Sequence, residues 1–161
     1  MSTIIGKTKI GYFVHSKILQ PIFRNNWKAN AKVVISTTSN SLGSTARWTA
    51  AARAYESERE VRLFEDPWAS VLAGTVGTAW AATRPSDSLA PMILRIRFFD
   101  DFLQRVTRED SIRQVVLMAA GLDTRAYRLN WSSGTTFFEL DQPAVLREKE
   151  QTLRSAGAKP N

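Results

Sequence analysis

The sequence predicts an α/β fold with a doubly wound parallel sheet, and three observations carry that reading. Val115-Val116-Leu117-Met118-Ala119 is a short unbroken apolar run, as expected of a strand buried on both faces of a parallel sheet. Thr135-Thr136-Phe137-Phe138-Glu139-Leu140 is a second strand-like run that ends in Asp141. A helix-forming stretch follows each run, so the order is strand, helix, strand, helix.

The elements before these strands read as helices. In the stretch from Ser44 to Glu56, Ser44 is a plausible N-cap and the alanines favour helix. Trp48, Ala51, Ala52 and Tyr55 fall on one face. Asp66-Pro67 opens a second short helix, with Asp as cap and Pro in the first turn, stopped near Gly74. Residues 75–87 contain Gly, Thr, Pro and Ser and read as loop. A longer helix spans about 88–106, with Met92, Ile96, Phe99, Leu103 and Val106 as its buried stripe. Between the strands, Ala120-Gly121-Leu122-Asp123-Thr124 is a turn leading into a short helix over 125–129. Ser132-Ser133-Gly134 is the next turn, and Gln142-Pro143 starts a helix reaching about Ser155.

Composition bounds the chemistry. Of 161 residues, 43% are hydrophobic and 23% charged, which is globular composition. There is no Cys, which excludes a disulfide framework, a thiolate metal site and a cysteine nucleophile. The one His, His15, cannot supply a multi-histidine metal site, so no metal is expected. No apolar run is long enough to cross a bilayer.

The net charge of +7 is uneven. Residues 1–40 hold six basic groups and no acidic one, whereas residues 41–161 hold 16 basic and all 15 acidic groups. The head is rich in Lys and Ile, the remainder in Arg and Ala. A boundary near residue 40 is therefore expected, with 1–40 a basic, poorly ordered extension and 41–161 the start of a folded domain. Within that domain, 44–107 forms a helical cap and 114–161 the beginning of the sheet. Ser36 to Ser41 reads as linker. The six scattered charges make no dense patch, so nucleic acid and membrane are not expected partners. Cytoplasmic residence is the expectation, with organelle targeting through the basic head as the alternative.

In open α/β sheets, ligands bind beyond the carboxyl ends of the strands. The first strand end carries Gly121 and Asp123, the second Asp141. An acidic residue about 20 positions after a turn glycine suits ribose hydroxyls. A dinucleotide site wants glycines where Ala119, Gly121 and Thr124 stand, and only one is present. S-adenosylmethionine, a cation without phosphate, suits one glycine and a nearby carboxylate better than NAD or FAD. Taken singly, Asp141 and Asp123 also read as helix caps and Gly121 as a residue of a tight turn.

The stretch from Val115 through Gly121-Leu122-Asp123-Thr124-Arg125 to Leu129, with Phe138-Glu139-Leu140-Asp141-Gln142-Pro143, closely resembles a class I S-adenosylmethionine-dependent methyltransferase family. It is the family of bacterial-type O-methyltransferases related to leucine carboxyl methyltransferases. The segment from Ser44 to Ala54, Leu63-Phe64-Glu65-Asp66-Pro67 and Arg97-Phe98-Phe99-Asp100-Asp101-Phe102 also match, so the likeness runs from about 41 to 160. It implies a Rossmann-like doubly wound sheet preceded by N-terminal helices and, in this chain, truncated after the first two strands. It implies S-adenosyl-L-methionine as cofactor and a small molecule or carboxylate as methyl acceptor. Gly121 and its neighbours Ala119 and Asp123 would line the methionine part, and Asp141 would hold the ribose. Arg97 is the candidate for the cofactor carboxylate, with an ion pair to Asp101 as the alternative. Members commonly have glycine where Ala119 stands. No catalytic base is assignable. The expectation is a partial methyltransferase that binds its cofactor weakly or not at all alone. The alternatives are an inactive remnant or interaction module of the same fold and, less well supported, a nucleotide-binding oxidoreductase.

Overall fold

A computed structural model describes residues 3–5, 8–12, 43–110 and 112–161. Its elements run β1 (Thr3–Ile5), β2 (Thr8–Tyr12), α1 (Ser44–Ser57), α2 (Ala69–Ala82), a 3-10 turn (Ser86–Leu89), α3 (Ala90–Arg108), β3 (Gln114–Met118), α4 (Arg125–Arg128), β4 (Thr136–Leu140) and α5 (Pro143–Ser155). The sheet order is β1-β2-β4-β3. β3 and β4 are parallel neighbours, with Val115 opposite Phe137 and Leu117 opposite Glu139. Two apolar runs joined by a helical crossover fold into this parallel pair.

Sequence reasoning set residues 1–40 outside the fold. The structure places Thr3–Ile5 and Thr8–Tyr12 in the sheet, antiparallel to each other, with β2 parallel to β4. Both segments are rich in Thr and Ile, which suit a pleated surface. The rest of that head, including His15 and the linker over 36–41, lies outside the described residues.

One sheet face makes the core. Val115 and Phe137 pack with Ala50, Ala51 and Leu72 of the first two helices, with Ala126 and Tyr127 of α4 and with Leu153 of α5. The other face is less covered: Val116 is 57% and Met118 76% exposed, so β3 is not buried on both sides as its apolar run suggested.

The helices depart from their sequence patterns in three places, each for a physical reason. Gly74 does not end α2. It takes φ 56° and kinks the chain, and helix resumes to Ala82, within the stretch expected to be loop. The continuation is held by the stacking of Trp80 on Trp48, with centroids 5.3 Å apart, and by close contact with α1. A Cβ on Gly77 would lie 2.6 Å from the Arg47 carbonyl oxygen, so this crossing accepts only glycine without moving backbone.

In α3 the buried residues are Ile93, Ile96, Asp100, Val106 and Thr107, whereas Phe99 is 45% exposed. In α1, Arg53 and Glu56 are buried and Tyr55 is on the surface. Both inward faces are turned away from the purely apolar stripe because charged side chains occupy the interior. Ser44 is the first residue of α1 rather than its cap, which is Gly43. The chain at Asp66-Pro67 leads into α2, which begins at Ala69.

Candidate functional site

The carboxyl ends of β3 and β4 bring the turn glycine and the second aspartate into contact. Beyond Met118 the chain must bend sharply to enter α4, and it does so with φ near 53° at both Ala119 and Gly121. That region is free for glycine and costs an alanine about 1–2 kcal/mol. The bend is pinned to β4, since the Ala120 N–H donates to the Leu140 carbonyl at 3.0 Å. The Gly121 N–H donates to Asp141 Oδ2 at 2.6 Å, and the Gln142 N–H to Asp141 Oδ1 at 2.6 Å. Each Asp141 oxygen keeps further acceptor capacity. Asp141 sits one residue ahead of the α5 cap, Gln142.

Beneath the bend lies a buried network of three guanidiniums and three carboxylates. Asp66 Oδ2 accepts from Arg53 Nε at 2.7 Å and from the Thr124 hydroxyl at 2.5 Å. Arg53 also donates to the Leu122 carbonyl at 2.7 Å. Asp100 accepts from Arg125 Nε at 2.7 Å and takes both terminal nitrogens of Arg128, at 2.7 and 2.9 Å. Arg125 closes the set on Asp123 at 2.5 Å. Buried charges persist when paired and hydrogen-bonded. The matching of sign here ties α1, α3 and α4 to the turn. Arg128 also lies over the Phe64 ring, 5.3 Å from its centroid.

Asp123 feels this network most. Burial pushes its carboxyl up, but the Arg125 and Arg53 guanidiniums, the Arg125 N–H and Lys149 outweigh that and hold it below the ordinary 3.8. A lowered carboxyl contributes stability that is complete above its unfolded value and is lost as pH falls through the folded one. The stability difference between the natural protein and Asp123→Asn is therefore expected to hold steady near neutrality. It should shrink as pH is taken down through 3.8. Urea melts at stepped pH measure it, and a gap unchanged to the acid limit refutes the assignment. Glu139 moves the other way. Burial pushes it above 4.5, Lys149 opposes, and Asp123 and Asp141 add to the rise.

A cleft of about 720 Å³ opens above the turn. Ala119, Gly121, Asp123 and Asp141 all line it. Arg97 does not. Its side chain donates to the Leu63 carbonyl at 2.5 Å and pairs with Asp101 at 2.8 Å, the i,i+4 arrangement weighed as its alternative. The guanidiniums that reach the cleft are Arg53, Arg125 and Arg95. The first two are committed to the buried network, whereas Arg95 makes no hydrogen bond or ion pair among the described residues. Sequence reasoning missed Arg95. Helical spacing was the signal for it: Arg95 and Phe99 are four residues apart on the cleft side, one step from the buried Ile96.

Known proteins resemble this chain in sequence. Two proteins, from Mycobacterium bovis (strain BCG / Pasteur 1173P2) and Mycobacterium tuberculosis (strain ATCC 25177 / H37Ra), carry the name "Putative S-adenosyl-L-methionine-dependent methyltransferase". Each is 42% identical over 74% of this chain and 43% of its own length. A second M. bovis protein of the same name is 41% identical, over 74% of this chain and 44% of its own. The chain thus spans less than half the length of these relatives. The family model described as leucine carboxyl methyltransferase matches residues 46–161. That match takes in α1 from its third residue, the helices that follow and the parallel β3–β4 pair, and on it the chain belongs to the leucine carboxyl methyltransferase family.

Proposed function

We propose that the cleft binds S-adenosyl-L-methionine and that the protein transfers its methyl group to an oxygen of a small molecule or a carboxylate. The observation that carries this reading is the contact of the Gly121 N–H with Asp141 at the cleft floor. It leaves a carboxylate with spare lone pairs at the end of β4, suited to two vicinal hydroxyls. The rest of the donor set fits the same ligand. Asp141 takes the ribose. Gly121 keeps the floor free of a side chain, since a Cβ there would meet the Ala46 Cβ at 3.1 Å. Arg95, unpaired among the described residues, offers its guanidinium to an amino-acid carboxylate. No phosphate-binding glycine series is present, which disfavours a dinucleotide.

Bound there, the cofactor would supply a sulfonium-activated methyl group, its S–CH3 bond breaking as the acceptor oxygen takes the methyl and S-adenosylhomocysteine is left. The contribution of this chain is alignment of the donor. The buried guanidinium–carboxylate network fixes the turn, the turn fixes Asp141, and Asp141 and Arg95 hold the ribose and the amino-acid carboxylate of the ligand. An ionised carboxylate acceptor needs no base, whereas a hydroxyl needs one.

Calorimetric titration of the full chain with S-adenosylhomocysteine tests the reading. Weak binding is expected of this chain alone, and its absence, for this compound and for S-adenosylmethionine, overturns the reading. Arg95→Ala is expected to lower affinity by about tenfold to a hundredfold, the worth of a charge-assisted hydrogen bond. It should leave the thermal midpoint unchanged, because Arg95 supports nothing within the described fold. Arg97→Ala, on the far flank of α3, is expected to leave affinity within about twofold, since it removes an exposed ion pair and a bond to the Leu63 carbonyl, both away from the cleft. The reverse ranking places the carboxylate site on Arg97.

A further inference from the structure

Lys149 of α5 is fully buried, and so is Glu139 of β4 against it, with Nζ 2.6 Å from Oε2. The same ammonium donates to the Asp123 carbonyl oxygen at 3.0 Å. On the other side of the turn, Arg53 of α1 donates to the Leu122 carbonyl. Two consecutive carbonyls are thus each held by a buried cation, one from α5 and one from α1. The Asp123 N–H also bonds back to the Ala120 carbonyl at 2.9 Å, so a pull on Asp123 is a pull on the residues flanking Gly121.

A buried ion pair is weak evidence for stability, because an apolar pair of similar volume often serves as well or better. The Lys149 contact with a backbone carbonyl has a different consequence: an apolar replacement abolishes it. From this geometry we infer that Lys149 is a positioning residue, which holds the 119–124 turn so that the Gly121 N–H stays aimed at Asp141. Glu139 supplies the counter-charge that lets the ammonium be buried there. The inference rests on the ligand assignment above for its effect on affinity, but not for its effect on the turn.

Two variants separate positioning from stability. In Glu139→Leu/Lys149→Met no unpaired charge is left inside, so the fold is expected to remain as stable as the natural one. The Asp123 carbonyl loses its donor, however, and affinity for S-adenosylhomocysteine is expected to fall about tenfold or more, as displaced binding groups do. Amide hydrogen exchange at Gly121 should quicken in this variant while α5 stays protected. In Glu139→Gln, Lys149 keeps its bond to Asp123. Stability should fall, while affinity and Gly121 protection stay near natural. A purely structural role gives the opposite ordering, with affinity following stability in both variants. That result, or a double variant with natural affinity and natural Gly121 exchange, overturns the inference. If the natural protein binds neither adenosyl compound, the ligand reading fails, and exchange at Gly121 still decides the role of Lys149.

Discussion

Asp100→Ala is expected to remove about 3–5 kcal/mol of folding stability, the range for breaking a buried ion pair by deleting one partner. Asp100 is the carboxylate shared by Arg125 and Arg128. Without it Arg128 keeps only Asp66, at 3.8 Å, and Arg125 keeps only Asp123. Arg128 then sits inside without a close counter-charge, and Arg125 with one carboxylate in place of two. A small domain is stable by about 5–15 kcal/mol in total, so this one change threatens the fold. Asp101 is the control. It is the next residue in the chain, and its pair with Arg97 is about half exposed on both sides. Asp101→Ala is expected to change stability by less than about 1 kcal/mol. Urea denaturation of both variants measures the contrast. Equal effects would mean that the interior charges are screened and that the network does not hold the turn.

Asp141→Asn is expected to weaken S-adenosylhomocysteine by about a hundredfold, from the loss of charge-assisted bonds worth roughly 1.5–3 kcal/mol each. The substitution is nearly isosteric, so packing is not in question. Chemistry decides: two backbone donors, the N–H groups of Gly121 and Gln142, each need an acceptor from this side chain. A carboxylate has two acceptor oxygens and an amide has one. One N–H must then face an NH₂ group, and the turn or the helix start moves. The ligand loses the anion and also the geometry that presented it. Calorimetry alongside a thermal melt separates the two losses. An Asn variant with natural affinity would show that Asp141 serves only as a support for α5.

Much of this was legible in the sequence because it rests on local rules. The runs over 115–119 and 135–140 could be read as strands from apolar continuity, and their pairing as parallel from the helical crossover between them. Gly121 and Asp141 were legible as a pair because strand ends in such sheets face one edge. The helix over 143–155 followed from Gln142-Pro143 at its start. Inward-facing charges were invisible. Arg53, Glu56, Asp100 and Lys149 read as surface residues by type, and only opposite charges brought to each of them by the fold let them lie inside. The stripes drawn on apolar residues alone caught Ala51, Ala52, Ile96 and Val106 but missed the charged part of the inner face, with Phe99 and Tyr55 as the visible errors.

The sequence by itself determined the order of elements from residue 44 onward, the bend at Gly121 and the acid at the end of the second of the two strands it predicted, because these depend on neighbours in the chain. Only the tertiary structure decided that α2 runs on past Gly74, that Arg95 rather than Arg97 reaches the cleft, and that Asp123 belongs to a buried ionic network. Each of those depends on a partner far away in sequence. The energy of a buried charge or a close helix crossing is set by what stands opposite it, and no spacing along the chain records that.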